Sequence, residues 1–542
     1  MTLTANILHI QERSSSYGAV HIENGHITHI EHLGPAREGQ PWIMPGFVDA
    51  HIHIESSMLV PSEFARMAVV HGTVATVSDP HEIANVLGME GVQYMIDNGQ
   101  KVPFKFFFGA PSCVPATAFE TAGASLNAEE VARLLAMPEI LYLSEMMNYP
   151  GVLFSDPEVM AKIAAAKALG KPVDGHAPGL RGEQARHYFA AGISTDHECF
   201  TYEEGLEKAQ LGVNIIIREG SAAKNFEALI PLLPQFPGQV FFCSDDKHPD
   251  DLILGHINLL VLRALQKGCD LFDVLQAACI NPVRHYGLNV GLLQPGDPAD
   301  FIVVEDLQSF RVLATYIEGQ ITAEEGRSLI ERIEAPVINR FNTSPKRPAD
   351  FRLQALSNQV RYIEAVNGEI VTRSGTAPIP VAEGWAVADA QEDLLKITVV
   401  NRYEDAPPAV AFIRGFGLQK GAIASCVGHD SHNIIAVGTD DESLCAAVNA
   451  VIASTGGISA VGAAREMVLP LPVAGIMTQA DGYETARAYA EIDAWVKSEL
   501  GCRLTAPFMT LSFMALLVIP ELKLSDKGLF DGAAFAFAEV FA

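Results

Sequence analysis

Read for the spacing of its apolar and polar positions, the chain changes character twice. Residues 1–43 carry short runs in which apolar and polar side chains alternate, the period of a strand. In VHIENGHITHI (20–30) two such runs flank Asn24-Gly25, which predicts a hairpin. No helical period of any length is present there. From Pro45 short apolar runs recur and predict strands: FVDAHIHI (47–54), TVATVSD (73–79), FKFFFGAP (104–111), ILYLSE (140–145), PVDGH (172–176), GISTDH (192–197), VNIIIRE (213–219) and QVFFCSD (239–245). Between them lie helix-like segments, among them SEFARMAVVHG, NAEEVARLLAM, PEVMAKIAAAKALG and EQARHYFAAG. Several end in the glycine that commonly stops a helix.

Eight strands alternating with helices over roughly two hundred residues predict a (β/α)8 barrel rather than an open doubly wound sheet. Residues 285–330 return to β character, with Gly/Pro turns in GLLQPGDPADFIVVE. The expected architecture is therefore α/β. A TIM-like barrel spans 44–284. A small composite β domain joins 1–43 to 285–330. Residues 331–350 connect to a further α/β domain at 351–542, with a hairpin at YIEAVNGEIVT (362–372) turning at Asn367-Gly368.

Composition narrows the function classes. The 542 residues are 49% hydrophobic, ample for large cores. Lys plus Arg is 37 and Asp plus Glu is 65, so the net charge is 37 − 65 = −28, which repels phosphate backbones and disfavours nucleic acid as a partner. The eight cysteines form no CxxC pair and read as reduced core thiols of a cytoplasmic protein. The N-terminus lacks the features of a signal peptide. The apolar run Phe508–Pro520 is too short to span a membrane and reads as core strand or helix.

The candidate chemistry sits where the strands end, because barrel active sites lie at the C-terminal ends of the strands. In PGFVDAHIHIESS (45–57) Asp49, His51, His53 and Glu55 occupy alternate positions with Ile52 and Ile54 between them. Strand 1 ends in His51 and His53, strand 4 in Glu145, strand 5 in His176, strand 6 in His197 and strand 8 in Asp245. Each alone has an ordinary reading: a lone His is more often a hydrogen-bonded core residue, and a lone Glu a helix cap or ion-pair partner. Four histidines and two carboxylates on one barrel mouth are costly to bury without a compensating cation. Imidazole and carboxylate donors suit Zn, Mn or Fe. Six donors exceed the need of one ion, and two ions sharing one carboxylate is the economical arrangement. A divalent ion lowers the pKa of water enough to give hydroxide at neutral pH. Asp245 is then placed to accept a proton and pass it to a leaving group.

These strings resemble a family. PGFVDAHIHIE, DGHAPG, TDHE and CSDD, with the split β domain and NPVRHYGL ahead of GLLQPGDPADFIVV, resemble the amidohydrolase superfamily. Within it, HIHIESSM, SDPHEIANVLG, SEMMNYPG, DGHAPGL, STDHE and the distant VGHDSHNI resemble the bacterial-type adenine deaminases over nearly the whole chain. The resemblance implies a metallo-dependent hydrolase barrel and hydrolytic deamination of adenine to hypoxanthine and ammonia in purine salvage. It implies two Mn2+ or Fe2+ ions, with Zn2+ also compatible, held by His51, His53, Glu145, His176, His197 and Asp245. Glu145 would be the bridge, and Asp245 also the proton shuttle, with His197 beside them at the reacting centre. Members that bridge with a carboxylated lysine need one on strand 4, and no Lys lies between Lys105 and Lys162.

The alternative within the fold is another cyclic amidohydrolase that opens an amide or lactone ring. The other zinc deaminase design needs H-x-E with P-C-x-x-C and is excluded, since no CxxC exists. Further candidates for substrate contact or support are Glu55 past strand 1, Asp79, His81 and Glu82 after strand 2, Ser112 after strand 3, and Arg218 and Glu219 after strand 7. Arg218 reads equally as an ion-pair partner. His429, Asp430 and His432 read as a strand–loop–strand whose loop the C-terminal domain lays over the mouth. The expected partners are a small purine base and a second copy of the chain in a homodimer or higher homo-oligomer, with no membrane.

Overall fold

The computed structural model describes residues 1–542. The alternating N-terminal segment forms antiparallel strands Thr2–His9, Ser14–Glu23 and His26–Gly34. Asn24 and Gly25 make the hairpin turn at φ of 50° and 80°, the left-handed values that Asn-Gly tolerates. Trp42–Pro45 lies parallel to the first strand and antiparallel to Phe301–Val304. The chain therefore leaves this sheet at Pro45 and rejoins it at Phe301. Val312–Ile317, Gln320–Glu324 and Arg327–Ser328 complete its eight strands.

The intervening segment contains all eight expected parallel strands: β1 (Phe47–Ile52), β2 (Thr73–Ser78), β3 (Lys105–Ala110), β4 (Ile140–Met146), β5 (Val173–Gly175), β6 (Thr195–Asp196), β7 (Asn214–Arg218) and β8 (Val240–Cys243). They form a curled five-stranded sheet, β1 to β5, and a three-stranded sheet, β6 to β8. Hydrogen bonds cross both gaps. Between β5 and β6, Ser194 N donates to Val173 O (2.9 Å) and Gly175 N to Thr195 Oγ1 (3.2 Å). Between β8 and β1, Asp245 N donates to His51 O (2.9 Å) and His53 N to Asp245 O (3.2 Å). The second pair fixes Asp245 beside the two histidines of β1. The connecting helices Pro61–Ala68, Ala128–Leu135, Pro157–Ala168 and Gly182–Ala190 match the sequence pattern. Asn127 and Asp156 cap two of them through their side chains.

Residues beyond 350 build a second eight-stranded sheet, ordered Thr372–Pro378, Gln359–Ala365, Ala409–Arg414, Leu395–Val400, Ile434–Gly438, Ala422–Ser425, Gly457–Val461, Glu466–Pro470. The helix Asp441–Ala453 packs its apolar side on this sheet. The hairpin expected at Asn367-Gly368 exists, but its turn is longer than the sequence suggests. Ala365 is the last residue paired, opposite Thr372. The six residues between leave the ladder: Gly368 O accepts from Ala223 N of the barrel (3.0 Å) and Ile370 is buried. The run Phe508–Pro520 is helical at its start, in Pro507–Ser512, followed by the 3-10 turn Phe513–Ala515. No helix is long and apolar enough to cross a membrane.

Candidate active site

Each expected donor is held by a neighbour that the local fold supplies. Asp49 sits on β1 below the mouth, where its carboxylate accepts from Ser244 N (3.1 Å) and Ser244 Oγ and pairs with His256 Nε2 (2.8 Å). It thus locks β1 to β8 and sets the height of Asp245 against His51 and His53. Ser112 Oγ donates to Glu145 O (2.5 Å). Tyr188 Oη donates to Met146 O (2.7 Å) and accepts from His176 N (3.1 Å), tying the end of β4 to that of β5. Asn225 Nδ2 donates to His197 O (2.9 Å).

So placed, the side chains converge in two groups that share Glu145. In the first, His51 Nε2 and His53 Nε2 are 3.2 Å apart, and Asp245 Oδ1 is 3.3 and 3.2 Å from them. Glu145 Oε1 lies 3.2 Å from His53 Nε2. In the second, Glu145 Oε2 meets His176 Nδ1 at 2.6 Å and His197 Nε2 at 3.1 Å. Ligands 2.0–2.2 Å from a tetrahedral divalent ion lie about 3.4 Å from one another. His51, His53 and Asp245 have that spacing and could hold an ion between them. The far nitrogens of these rings, His51 Nδ1, His176 Nε2 and His197 Nδ1, are buried without a partner. The set fits the binding of a divalent metal.

Burial opposes the charge on Asp245, yet Arg218 and the hydrogen-bonded histidines hold its carboxyl well below the usual carboxylate range. Burial likewise opposes Glu145, and His176 and His197 outweigh it. Burial and the neighbouring His197 push His51 down, whereas for His53, His176 and His197 the surrounding carboxylates outweigh burial and raise the imidazole, His197 to about 9. No lysine competes for the bridging place: Lys162 spends its ammonium on Ser112 O and Leu126 O (2.9 and 2.8 Å).

Five of the donors, His53, Glu145, His176, His197 and Asp245, line a cavity of about 30 Å³, while His51 is wholly buried and does not line it. His81, Glu82, Arg218, His429 and Asp430 also line it. Arg218 donates to Asp245 Oδ2 (2.6 Å), to both oxygens of Glu198 and through Nε to Ala223 O (2.8 Å), so four of its five N–H groups are engaged, most of them in ion pairs. Glu219 pairs with Arg263 outside the cavity (2.9 Å). Glu55 accepts from Ile83 N (3.2 Å), which anchors the helix His81–Leu87; neither it nor Ser112 reaches the cavity. Asp79 is a support, with its carbonyl on His53 Nδ1 and its carboxylate on His81 Nδ1, both at 3.1 Å.

The loop between Ala422–Ser425 and Ile434–Gly438 does reach the mouth. Glu82 receives a hydrogen bond from His429 Nδ1, and its other oxygen lies against His432 Nε2. Arg402, wholly buried, donates to His432 O (3.4 Å) and Arg340 O, and Tyr403 Oη to Ser431 O (2.6 Å), so the loop is fixed from behind. His432 stands behind the cavity wall. Sequence reasoning missed Glu198, Asp246, Met147, Ile370, Phe513 and Leu516 as lining residues. Glu198 and Asp246 were inside the strings TDHE and CSDD. The four apolar residues carry no local signal of chemistry.

A buried imidazole–carboxylate centre at the strand ends of a parallel α/β sheet defines the amidohydrolase class, and residues 42–322 match the description "Amidohydrolase family". Residues 369–536 match "Adenine deaminase C-terminal domain". The chain is 56% identical to the adenine deaminase of Salinibacter ruber, over 100% of this chain and 99% of that one. It is 57% identical to that of a Sulfurovum species, over 99% of each chain. It is 52% identical to that of Methanosarcina barkeri, over 97% of this chain and 96% of that one. The chain belongs to the adenine deaminase family.

Proposed function

We infer that this protein is an enzyme that removes the 6-amino group of adenine by hydrolysis, giving hypoxanthine and ammonia. One observation carries the reading: five of the six donors line a pocket whose far side is built by Ile370, His429, Asp430, Phe513 and Leu516, residues of the part of the chain that matches the adenine deaminase C-terminal domain. Two divalent ions, Mn2+ or Fe2+, would be held by His51, His53 and Asp245 with Glu145, and by His176 and His197 with Glu145. When bound, such ions supply acidity to water and polarise the ring carbon under attack.

The chain's own residues divide the remaining work. Arg218 holds one oxygen of Asp245 and leaves the other facing the histidines, so one carboxylate both binds and moves a proton. Water oxygen adds to C6 while Asp245 takes its proton. Asp245 returns that proton to the exocyclic nitrogen, the C–N bond breaks, and ammonia leaves. His429 and Asp430 close the mouth over the base, and Glu82 holds that closure. Four apolar side chains, Met147, Ile370, Phe513 and Leu516, offer a surface for a flat ring.

The seam hydrogen bonds support reading the two parallel sheets as one closed (β/α)8 barrel at 44–284. The shared N-terminal sheet supports a composite domain of 1–43 and 285–330, with a connection at 331–350 and a C-terminal domain at 351–542. Eight unpaired cysteines fit the cytoplasm and a role in purine metabolism there. A homodimer or higher homo-oligomer is the expected assembly. The test is direct: load the protein with Mn2+ or Fe2+, add adenine, and follow hypoxanthine by ultraviolet absorbance and ammonia by a coupled assay. Stoichiometric release of both is expected. Absence of turnover with either metal would sink the reading.

A further inference from the structure

Lys523 lies in the strand Leu522–Ser525 of the C-terminal domain and is wholly buried. Burial is the only influence on its charge: no carboxylate stands close enough to compensate, and its amine is pushed down to about 7. An amine removed from water without a counter-charge is a stability cost, which an apolar side chain of similar shape would not incur. The structure shows what the amine holds. Nζ donates to Ile370 O at 2.6 Å and to Phe513 O at 3.0 Å. Both acceptors are backbone carbonyls, one from each of two separate segments.

Those two acceptors belong to the cavity. Ile370 comes from the widened hairpin loop that touches the barrel through Gly368 O, and Phe513 from the turn after Pro507–Ser512. Their side chains form the apolar wall facing the imidazole–carboxylate centre, with Leu516 beside them. The Phe513 ring also stacks on His429 at 4.8 Å, with 16° between the ring planes. A shift of either backbone would change the gap available to a flat ring.

We propose that Lys523 is a positioning residue for base binding: by holding the carbonyls of Ile370 and Phe513 it sets the wall against which the flat face of the substrate ring packs. This rests on reading the cavity as a purine-base site. Turnover of adenine by the wild-type enzyme tests that reading, and the comparison below, made on enzyme that turns over, tests Lys523 alone. Lys523→Met keeps the volume and removes the donors. In the metal-loaded variant, KM for adenine should rise about tenfold and the inhibition constant of hypoxanthine by the same factor. The kcat should stay within about threefold, and metal content should not change. A merely structural lysine would alter thermal stability and leave KM and the inhibition constant alone. Lys523→Gln is the second variant and serves if Lys523→Met does not fold. It keeps two N–H groups on a side chain too short to reach both carbonyls, so its KM should also exceed the wild-type value. Unchanged KM in either folded variant overturns the proposal, as does a loss confined to kcat.

Discussion

Asp245 shows how one residue serves two ends. Its backbone pairs with His51 and His53 across the β8–β1 gap, Arg218 occupies one of its oxygens, and the other meets both histidine nitrogens. The proposed proton transfer uses the basicity of that carboxylate, whereas metal holding uses mainly its oxygen. Asp245→Asn keeps an oxygen donor and removes the basicity. It should lower kcat by about 10³-fold, within the range for a lost general base, with metal content by elemental analysis staying near two ions per chain. Activity within tenfold of wild type would show that the proton travels another way. Arg218 teaches a different lesson. Its position at the end of β7 suggested a substrate reader or, equally, an ion-pair partner; the structure engages four of its five N–H groups, on Ala223 O, Glu198 and Asp245, and leaves one on Nη2 without a partner.

At the level of elements, the decisive feature is the junction between the helix after β2 and the loop 426–433. Glu82 stands at the start of the helix and is the shared acid for His429 and His432. Burial works against a charge on His429, but Glu82 and Asp246 raise it to about 9. Glu82→Ala leaves two buried imidazoles without their acid. The expected loss is about 3 kcal/mol, at the low end for a broken buried ion pair because an imidazole can shed its proton. It would appear as a lower unfolding midpoint in urea, together with faster proteolysis within 426–433. An unchanged midpoint would mean that Arg402 and Tyr403 alone hold the loop. The pattern of the sequence foretold this element as strand, loop and strand, because apolar runs bracket a polar string. Its partner lies 347 residues earlier, which no local pattern encodes.

Across the whole molecule the parallel α/β region and the C-terminal domain are not separate bodies. One apolar core of 131 buried residues includes Leu8, residues of the parallel strands, and residues between Phe508 and Leu529 of the C-terminal domain. Hydrogen bonds such as His248 Nδ1 to Tyr489 Oη (2.6 Å) and Gly482 N to Glu63 Oε2 (3.1 Å) cross the same boundary. A shared core predicts cooperative melting. Calorimetry of the metal-loaded chain should give one transition, and chelation should lower it, since ligands bound only by the folded state stabilise it. Two well-separated transitions would show that the domains melt independently.

The sequence by itself determined the eight parallel strands, the split N-terminal sheet and the strand-end places of six candidate donors, because periodicity and strand-end position are local properties of the chain. It also placed the loop at His429. Only the tertiary structure decided which side chains face the cavity, that Arg218 and Glu219 stand in ion pairs, and that Ile370, Phe513 and Leu516 form the wall opposite the donors. The reason is physical. An apolar residue in a core and one against a substrate have the same composition and spacing, and only the space in front of them differs. Lys523 stands with them: a lysine in a late strand reads as an exposed residue until its amine is found between two carbonyls.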